Sequence, residues 1–127
     1  MRLRAALAVL ALAAPGCGSP SDPTDLTPVV EPILIDSVTV RVAESLPVQV
    51  FAHVNGIVGD GCSTLLPVEQ SREGNRVAIA ILRQRPKSAI CTQIAKLFNE
   101  DIRLQGAFPP GRYTLRVNET LRTFDVN

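Results

Sequence analysis

Apolar and polar residues alternate along most of the chain after residue 36, and this alternation is the pattern of half-buried β-strands. Residues 38–43 form the first such run and residues 48–55 the second, with a break at residues 44–47. Successive side chains of a strand point to opposite faces, so a period of two places one face in a core. The pattern therefore predicts two consecutive strands.

Further short strands follow towards the C-terminus. They are predicted at residues 66–71, 76–83, 99–105, 113–117 and 121–126. The second of these runs is apolar on both faces, which is typical of a central strand. Asn118 and Glu119 predict a tight turn between the last two strands. Leu121 is out of phase with Phe124, which predicts a bulge in the final strand.

The segment 86–98 has a different spacing. Ile90, Ile94, Leu97 and Phe98 follow one another at the intervals of a single helical face. Because the segment is short, it predicts one or two helical turns or an irregular crossover. With six or seven short strands in about 90 residues, the whole pattern predicts an all-β fold, an antiparallel β-sandwich of about seven strands over residues 36–127.

The N-terminus carries an uninterrupted apolar run at residues 5–14, preceded by Arg2 and Arg4. A positive start, a short apolar stretch and then small residues are the layout of a secretory signal peptide. The run is too short for a transmembrane helix, which needs about 20 apolar residues. An ordinary buried helix is the alternative. We predict a signal peptide at residues 1–16 and an exported protein.

The three cysteines are interpreted in the light of export. Disulfides persist outside the cytoplasm, so Cys62 and Cys91 are natural partners and Cys17 is left over. A bridge between the first two would close a loop of about 30 residues and contribute roughly 3–4 kcal/mol in the chain-entropy model. We therefore predict a structural disulfide between Cys62 and Cys91.

Cys17 follows a stretch of small residues, Ala14-Pro15-Gly16. This stretch resembles the lipobox of bacterial lipoproteins, in which the cysteine becomes the lipidated N-terminus. Ala14 stands where leucine is usual, and Pro15 where alanine or serine is usual. The resemblance implies a lipid anchor at Cys17, and several acyl chains give stable anchoring. An ordinary signal peptide followed by an unpaired thiol is the alternative.

The next segment, residues 17–35, consists of Cys17 and a proline-rich stretch that follows it. It carries four prolines among serine, aspartate and threonine, a composition that favours an extended tether of about 3.1 Å per residue. The segment predicts a lipid-anchored linker that holds the domain on the order of 50 Å from the bilayer.

Charge gives little indication of a strongly charged partner. The chain has 13 basic and 12 acidic residues, and removal of Arg2 and Arg4 with the signal peptide leaves a net charge near −1. The basic residues are scattered along the chain rather than grouped in blocks. We therefore expect no binding of nucleic acid. Contact with the membrane is expected through the lipid anchor.

The sequence carries no complete catalytic or metal-binding pattern. His53 is the only histidine, and its strand spacing places it on the polar face. Cys62 and Cys91 could act as nucleophiles, but an oxidising compartment favours their bond over their thiolates. One histidine and paired cysteines cannot supply a zinc shell, and Gly56, Gly59 and Gly61 do not form a phosphate-binding motif. The sequence predicts no enzyme, no metal site and no cofactor.

Several stretches carry a resemblance to a known group of proteins. They are "VFAHVNGIVGDGCSTL", "QSREGNRVAIAI", "RPKSAICTQ", "FNEDIRL" and "PPGRYTLRVNETLRTF", and together they cover most of residues 48–124. These stretches resemble uncharacterised exported bacterial lipoprotein domains with an immunoglobulin-like β-sandwich. The resemblance implies that fold, the disulfide and a lipoprotein or secreted context, and it implies no activity. Tyr113 would then hold its hydroxyl against the backbone, as at a tyrosine corner.

These observations predict a non-catalytic, lipid-anchored recognition or accessory module of the bacterial envelope, in the cell membrane or outer membrane, with an envelope protein as partner. The glycine-rich segment 56–62 predicts a binding loop, and the disulfide would hold the segment 86–91 beside it. The candidate binding surface comprises Phe51, His53, Gly56, Ile57, Val58, Gly59, Asp60 and Gly61. A secreted protease inhibitor and a structural envelope component are the alternatives. A glycan-binding module is less favoured because aromatic residues make up only 4% of the chain.

Overall fold

A computed structural model describes residues 13–16, 18 and 25–127. Residues 1–12, 17 and 19–24 lie outside these described residues, and so do most of the predicted signal peptide's apolar run and the predicted anchor, Cys17. The described chain contains strands and no helix. They are β1 Pro28–Pro32, β2 Leu34–Ala43, β3 Gln49–Gly59, β4 Thr64–Leu65, β5 Glu69–Glu73, β6 Arg76–Ala80, β7 Leu82–Pro86, β8 Lys96–Arg103, β9 Gly111–Val117 and β10 Thr120–Val126.

The strands form three sheets, and the predicted all-β class is confirmed. Sheet I has the order β2–β3–β8, sheet II the order β10–β9–β6–β5, and sheet III the order β1–β7–β4. Every pair is antiparallel except β6 and β9, which run parallel and so depart from the predicted antiparallel pattern. The strands number ten rather than about seven because two extended runs are each divided at one residue, Ile33 and Ile81, and because Thr64 and Leu65 form the additional short strand β4.

The inner faces of sheets I and II share one hydrophobic core, which Ile33 and Ile81 also enter at the ends of the sheet III strands. In β3, Val50, Ala52 and Val54 are fully buried, as the period-two pattern predicts. Leu115 and Val117 of β9 and Ile81 are equally inaccessible. Full burial of each aliphatic side chain of this size contributes roughly 1.5–3 kcal/mol, so the alternating positions provide the main driving force for folding.

An aromatic group closes one part of this core. The rings of Phe108 and Phe124 lie 5.2 Å and 5.3 Å from the ring of Tyr113. Tyr113 is 2% exposed, and its hydroxyl donates a hydrogen bond of 2.6 Å to the carbonyl of Pro109. The prediction that this hydroxyl is held by the backbone is therefore confirmed. A buried tyrosine needs such a partner because an unpaired hydroxyl in a core is costly.

Asn118 joins the places where the two long extended runs are divided. Its Oδ1 accepts a hydrogen bond from the Ile81 amide at 2.8 Å. Its Nδ2 donates to the carbonyls of Ile33 and Ile81 at 3.0 and 3.1 Å. The residue has a φ of 52°, which the predicted tight turn between β9 and β10 requires and which asparagine tolerates. One side chain therefore satisfies three backbone groups from separate parts of the chain.

The N-terminal boundary of the domain differs from the prediction. Residues 28–32 form β1, which pairs with β7 from Pro28 opposite Pro86 to Pro32 opposite Leu82. Two of the four prolines that indicated a tether, Pro28 and Pro32, lie at the ends of an edge strand, where a missing amide proton is tolerated. The domain thus starts before residue 36, and the predicted tether loses its C-terminal part.

Two local predictions also change. The crossover at residues 87–95 is irregular, the second of the two predicted alternatives, and exposes Ile90 and Ile94 while only Phe98 enters the core. The final strand contains no bulge, since β10 pairs with β9 without interruption from Thr120 to Val126. Leu121 breaks the pattern simply because it is an exposed leucine on the outer face.

Replacement of Asn118 tests the junction. Asn118→Ala removes three hydrogen bonds and leaves partly buried backbone groups unpaired, so we expect a loss of about 2–3 kcal/mol in unfolding free energy, measured by urea denaturation. Asn118→Asp keeps the acceptor for Ile81 and should lose less. Asn118→Gly relieves the positive φ but lacks the side chain. Equal stability of the glycine variant and the wild type would show that only the turn conformation matters.

Candidate functional site

The predicted binding residues do not form a loop; most of them belong to strand β3. Phe51, His53 and Ile57 lie on its outer face, whereas Val58 is 5% exposed and points into the core. Only Asp60 and Gly61 lie in a turn. The predicted glycine-rich loop is therefore wrong from Gly56 to Gly59, which belong to β3. Neither Gly56, which is buried, nor Val58 can contribute a contact surface.

The glycines of β3 serve close packing instead of a loop. A Cβ on Gly56 would collide with the backbone carbonyl of Leu34 on the neighbouring strand. Gly59 has a φ of 141°, and the register of β3 against β8 shifts between Ile57 and Gly59. A glycine inside a strand often marks such a shift or a close approach. Glycine at these positions indicated an unusual backbone requirement. The requirement is close packing and a register shift within a strand, whereas the sequence analysis took the glycines to indicate a turn.

The outer face of sheet I is organised in rows across β2, β3 and β8. In one row, His53 Nδ1 lies 2.9 Å from a carboxylate oxygen of Asp101, its partner on β8. In the next, the Asn55 amide donates to Ser37 at 3.1 Å and accepts from Asn99 at 2.6 Å. The centre of the face therefore carries two hydrogen-bonded groups of polar side chains in adjacent rows.

An arginine covers the aromatic end of this face. Arg41 on β2 places its guanidinium carbon 4.5 Å from the ring centre of Phe51, and Arg103 on β8 lies opposite Phe51 in the register. A cation over an aromatic face at an exposed site contributes about 0.5–1 kcal/mol. Phe51 is thus half-buried beneath charge and does not offer a bare aromatic platform.

The other end of the face is apolar and exposed. Leu34 and Leu97 lie opposite Ile57 in the register of the two strand pairs. Their side chains are 66%, 74% and 37% exposed, respectively. We call these three residues the apolar row. The sequence prediction included Ile57 and missed the other two. The consecutive Leu97 and Phe98 carried the signal, because only one of two adjacent strand residues can face the core.

The turn beyond β3 is held rigidly. Cys62 and Cys91 form the predicted disulfide, with a sulfur–sulfur distance of 2.03 Å. Asp60 accepts hydrogen bonds from the Cys62 amide and from the Ser63 hydroxyl, both at 3.2 Å. It also accepts one from Arg85 at 2.7 Å. We call the part of the molecule around this disulfide the disulfide end.

The charge of Asp60 is stabilised by these contacts. Partial burial raises the pKa of this carboxyl, but the hydrogen bonds from Cys62 and Ser63 and the guanidinium of Arg85 together outweigh it. The net effect lowers the pKa of Asp60 below its ordinary value. Asp60 is consequently a structural anion that orders the turn, and its oxygens are occupied by internal donors.

The described residues contain two sites that resemble reactive groupings. Asp60, Cys62 and Cys91 bring potential metal ligands within 4.8 Å of one another, but both sulfurs are bonded to each other and cannot act as thiolates. His53 and Asp101 resemble part of a catalytic triad, yet in residues 25–127 the side-chain hydrogen bond of His53 goes to Asp101 alone. Neither arrangement presents a nucleophile beside a base.

Comparisons with known proteins agree with the architecture. The family model described as the ORF11 beta-sandwich domain matches residues 52–126, so the predicted β-sandwich is confirmed. An uncharacterised 10.2 kDa protein in the HgiCIIM 5′ region of Herpetosiphon aurantiacus is 39% identical over 87 residues, which are 68% of this chain and 93% of that protein. A second, in the HgiBIM 5′ region of the same organism, is 39% identical over 75 residues, 59% and 92% of the two chains. No solved structure matches significantly.

Removal of the disulfide should destabilise the domain substantially. The two cysteines are 29 residues apart, and a loop of this size gives about 3–4 kcal/mol in the chain-entropy model. We expect the Cys62→Ser, Cys91→Ser double variant to lose this amount in urea denaturation. Cys17→Ser is the matched control, because it removes a thiol without touching the bridge. An unchanged midpoint for the double variant would contradict a structural role for the disulfide.

The lowered pKa of Asp60 predicts the direction in which the stability of the domain changes with pH. A carboxyl with a lower pKa in the folded state stabilises the protein above its unfolded pKa, about 3.9, and loses this contribution as the pH falls below it. Asp60→Asn should therefore make the domain less stable than the wild type near neutral pH. The difference in stability between the variant and the wild type should become smaller below about pH 4. Thermal unfolding over this range measures it. Glu119→Gln is the control, and a difference that widens on acidification contradicts the assignment.

Proposed function

Because this chain belongs to the ORF11 beta-sandwich domain family, whose description names a fold and no reaction, we propose that it is a non-catalytic recognition module. In this proposal it is exported, lipid-anchored at Cys17 and active in the bacterial envelope, where it binds a protein partner. The observation that carries the proposal is the outer face of sheet I, with its apolar row of Leu34, Ile57 and Leu97 beside a hydrogen-bonded polar centre.

The composition of this face is suited to protein recognition. Protein interfaces combine an apolar core with polar residues around it. The apolar row supplies side chains that water covers in the free domain. The hydrogen-bonded pairs of His53 with Asp101 and of Asn55 with Asn99 hold the neighbouring polar groups in fixed positions. Polar groups in fixed positions make binding specific for one partner, and little side-chain entropy is lost on binding because these groups are already ordered.

Export and anchoring rest on two independent features. The Cys62–Cys91 disulfide supports a location outside the cytoplasm, since disulfides are rare in cytosolic proteins. The apolar run at residues 5–14 and the stretch before Cys17 support a signal peptide with a lipid attachment site. Within the described residues, no helix has the length and apolar character to cross a membrane. An immunoglobulin-like form of the β-sandwich is supported by the Tyr113 hydroxyl bonded to Pro109.

Site-specific photo-crosslinking in cells that naturally produce the chain tests the recognition surface. A photoreactive residue at position 53 or 57 should give one dominant protein adduct, while the same residue at Thr123, exposed on β10 of sheet II, should give none. The adduct should be lost when Ile57→Ser is combined with the probe at position 53. Equal adducts from positions 57 and 123 would contradict the assignment of this face.

The identity of the adduct separates this function from its alternatives. A protease captured by the face would favour a secreted inhibitor, and a reproducible envelope defect on deletion without any adduct would favour a structural component. Lipid attachment is tested separately by metabolic labelling with an alkyne fatty acid. We expect label on the wild-type chain and none on Cys17→Ser, and an unlabelled wild type would contradict the anchor.

A further inference from the structure

The described domain starts at the disulfide end. The Asp25 carbonyl accepts a hydrogen bond from the Ser88 amide, and the Thr27 carbonyl accepts one from the Lys87 amide, both at 2.9 Å. Lys87 also lies 3.6 Å from the Asp25 carboxylate. Ser88 is three residues before Cys91 of the disulfide. The chain that leads back to Cys17 therefore leaves the domain beside the disulfide.

Exposed aliphatic side chains surround this exit point. Leu26 lies between the two residues that bond to the segment 87–88, and Ile90 and Ile94 flank Cys91. All three are exposed, and Ile90 is 99% exposed. The disulfide and a hydrogen bond of 2.9 Å from the Gly61 amide to the Thr92 carbonyl hold the segment that presents them. We call Leu26, Ile90 and Ile94 the apolar collar.

The length of chain before the collar limits its distance from an anchor. Cys17 precedes Asp25 by eight residues, and a fully extended chain spans at most about 3.3–3.6 Å per residue. The disulfide end therefore stays within roughly 28 Å of an acylated Cys17. This is much less than the 50 Å inferred from a longer tether, because residues 28–32 belong to sheet III.

Most charges near the collar are paired within the domain, and the ammonium of Lys96 donates a hydrogen bond of 2.8 Å to the Ser63 carbonyl. Arg85 is paired with Asp60 at 2.7 Å, Arg83 with Glu31 at 2.9 Å, and Lys87 lies near Asp25. Such an end carries little net charge with which to attract or repel lipid head groups. A surface that combines exposed aliphatic residues with paired charges suits the interface of a zwitterionic bilayer.

We propose that the apolar collar inserts into the interfacial region of the phospholipid bilayer and fixes the orientation of the domain on the membrane. The proposal rests on the lipid anchor at Cys17 put forward above. Insertion turns the disulfide end towards the lipid and leaves the residue 44–48 connection between β2 and β3 facing away. The central part of the sheet I face then remains accessible from the side.

Photo-crosslinking of the lipidated full chain in phosphatidylcholine vesicles tests the insertion. A photoreactive residue at position 90 should form phospholipid adducts at least about tenfold more often than one at position 46. Leu46 is a matched control, since it is a fully exposed aliphatic residue at the other end of β3, roughly 35 Å away. With the probe at position 26, the Ile90→Ser, Ile94→Ser variant should lose most of its lipid adducts while its melting temperature stays unchanged.

The outcomes separate the collar from the anchor and from other occupants. An acylated chain with equal lipid adducts from positions 90 and 46 overturns the collar and leaves the anchor intact. A chain without an acyl group at Cys17 overturns the anchor and, with it, the collar. Protein adducts from position 90 in place of lipid assign the collar to a second copy. The lipid adducts should persist from about 0.1 to 1 M salt, and their loss at high salt would assign the contact to charge and overturn insertion.

Discussion

The fold depends on the hydrogen bonds of a single amide side chain, Asn118, at the place where the chain passes between sheets. At Ile33 the chain leaves sheet III for sheet I, and at Ile81 it leaves sheet II for sheet III. Each transition interrupts a ladder and leaves backbone groups without their usual partners, which a buried backbone cannot tolerate. The Asn118 side chain supplies both an acceptor and donors there, and the Ile33 amide bonds directly to the Ile81 carbonyl at 3.0 Å.

Sheet III, held by this junction, gives the disulfide end its structure. Strand β7 lies at its centre and carries Arg83 and Arg85 towards β3 and the turn after it. Arg83 bonds to the Val58 carbonyl, and Arg85 bonds to Asp60. Together with the disulfide, these contacts order an end of the molecule that contains little regular structure. Because these contacts occupy Arg83, Arg85 and Asp60 within the domain, aliphatic side chains are the main groups available to a partner.

The sequence was sufficient for the parts of the fold that depend on local pattern. Alternation predicted the inner face of β3, and the residue types Asn118 and Glu119 predicted the turn between the last two strands. The number of cysteines, together with the expected export, predicted the disulfide. The Tyr113 hydroxyl contact was implied by the resemblance to immunoglobulin-like domains. The sequence was insufficient where one residue type serves two purposes. Gly56 and Gly59 suggested a loop, but they permit close packing within a sheet, and Pro28 and Pro32 suggested a tether, but they end an edge strand. The rows across sheet I depend on register between distant strands, which no local pattern encodes.

The position of Asn118 in the sequence determines when the domain can be completed. Its bond to Ile33 spans 85 residues, and β6 pairs in parallel with β9 across the whole crossover. Pairings between residues so far apart in the sequence make folding slow, because the entropy of closing a large loop is lost before the stabilising contacts form. During synthesis, the junction of the sheets cannot form until the β9–β10 turn has emerged. The domain therefore cannot be completed before nearly the whole chain has been made, a property compatible with the export proposed above.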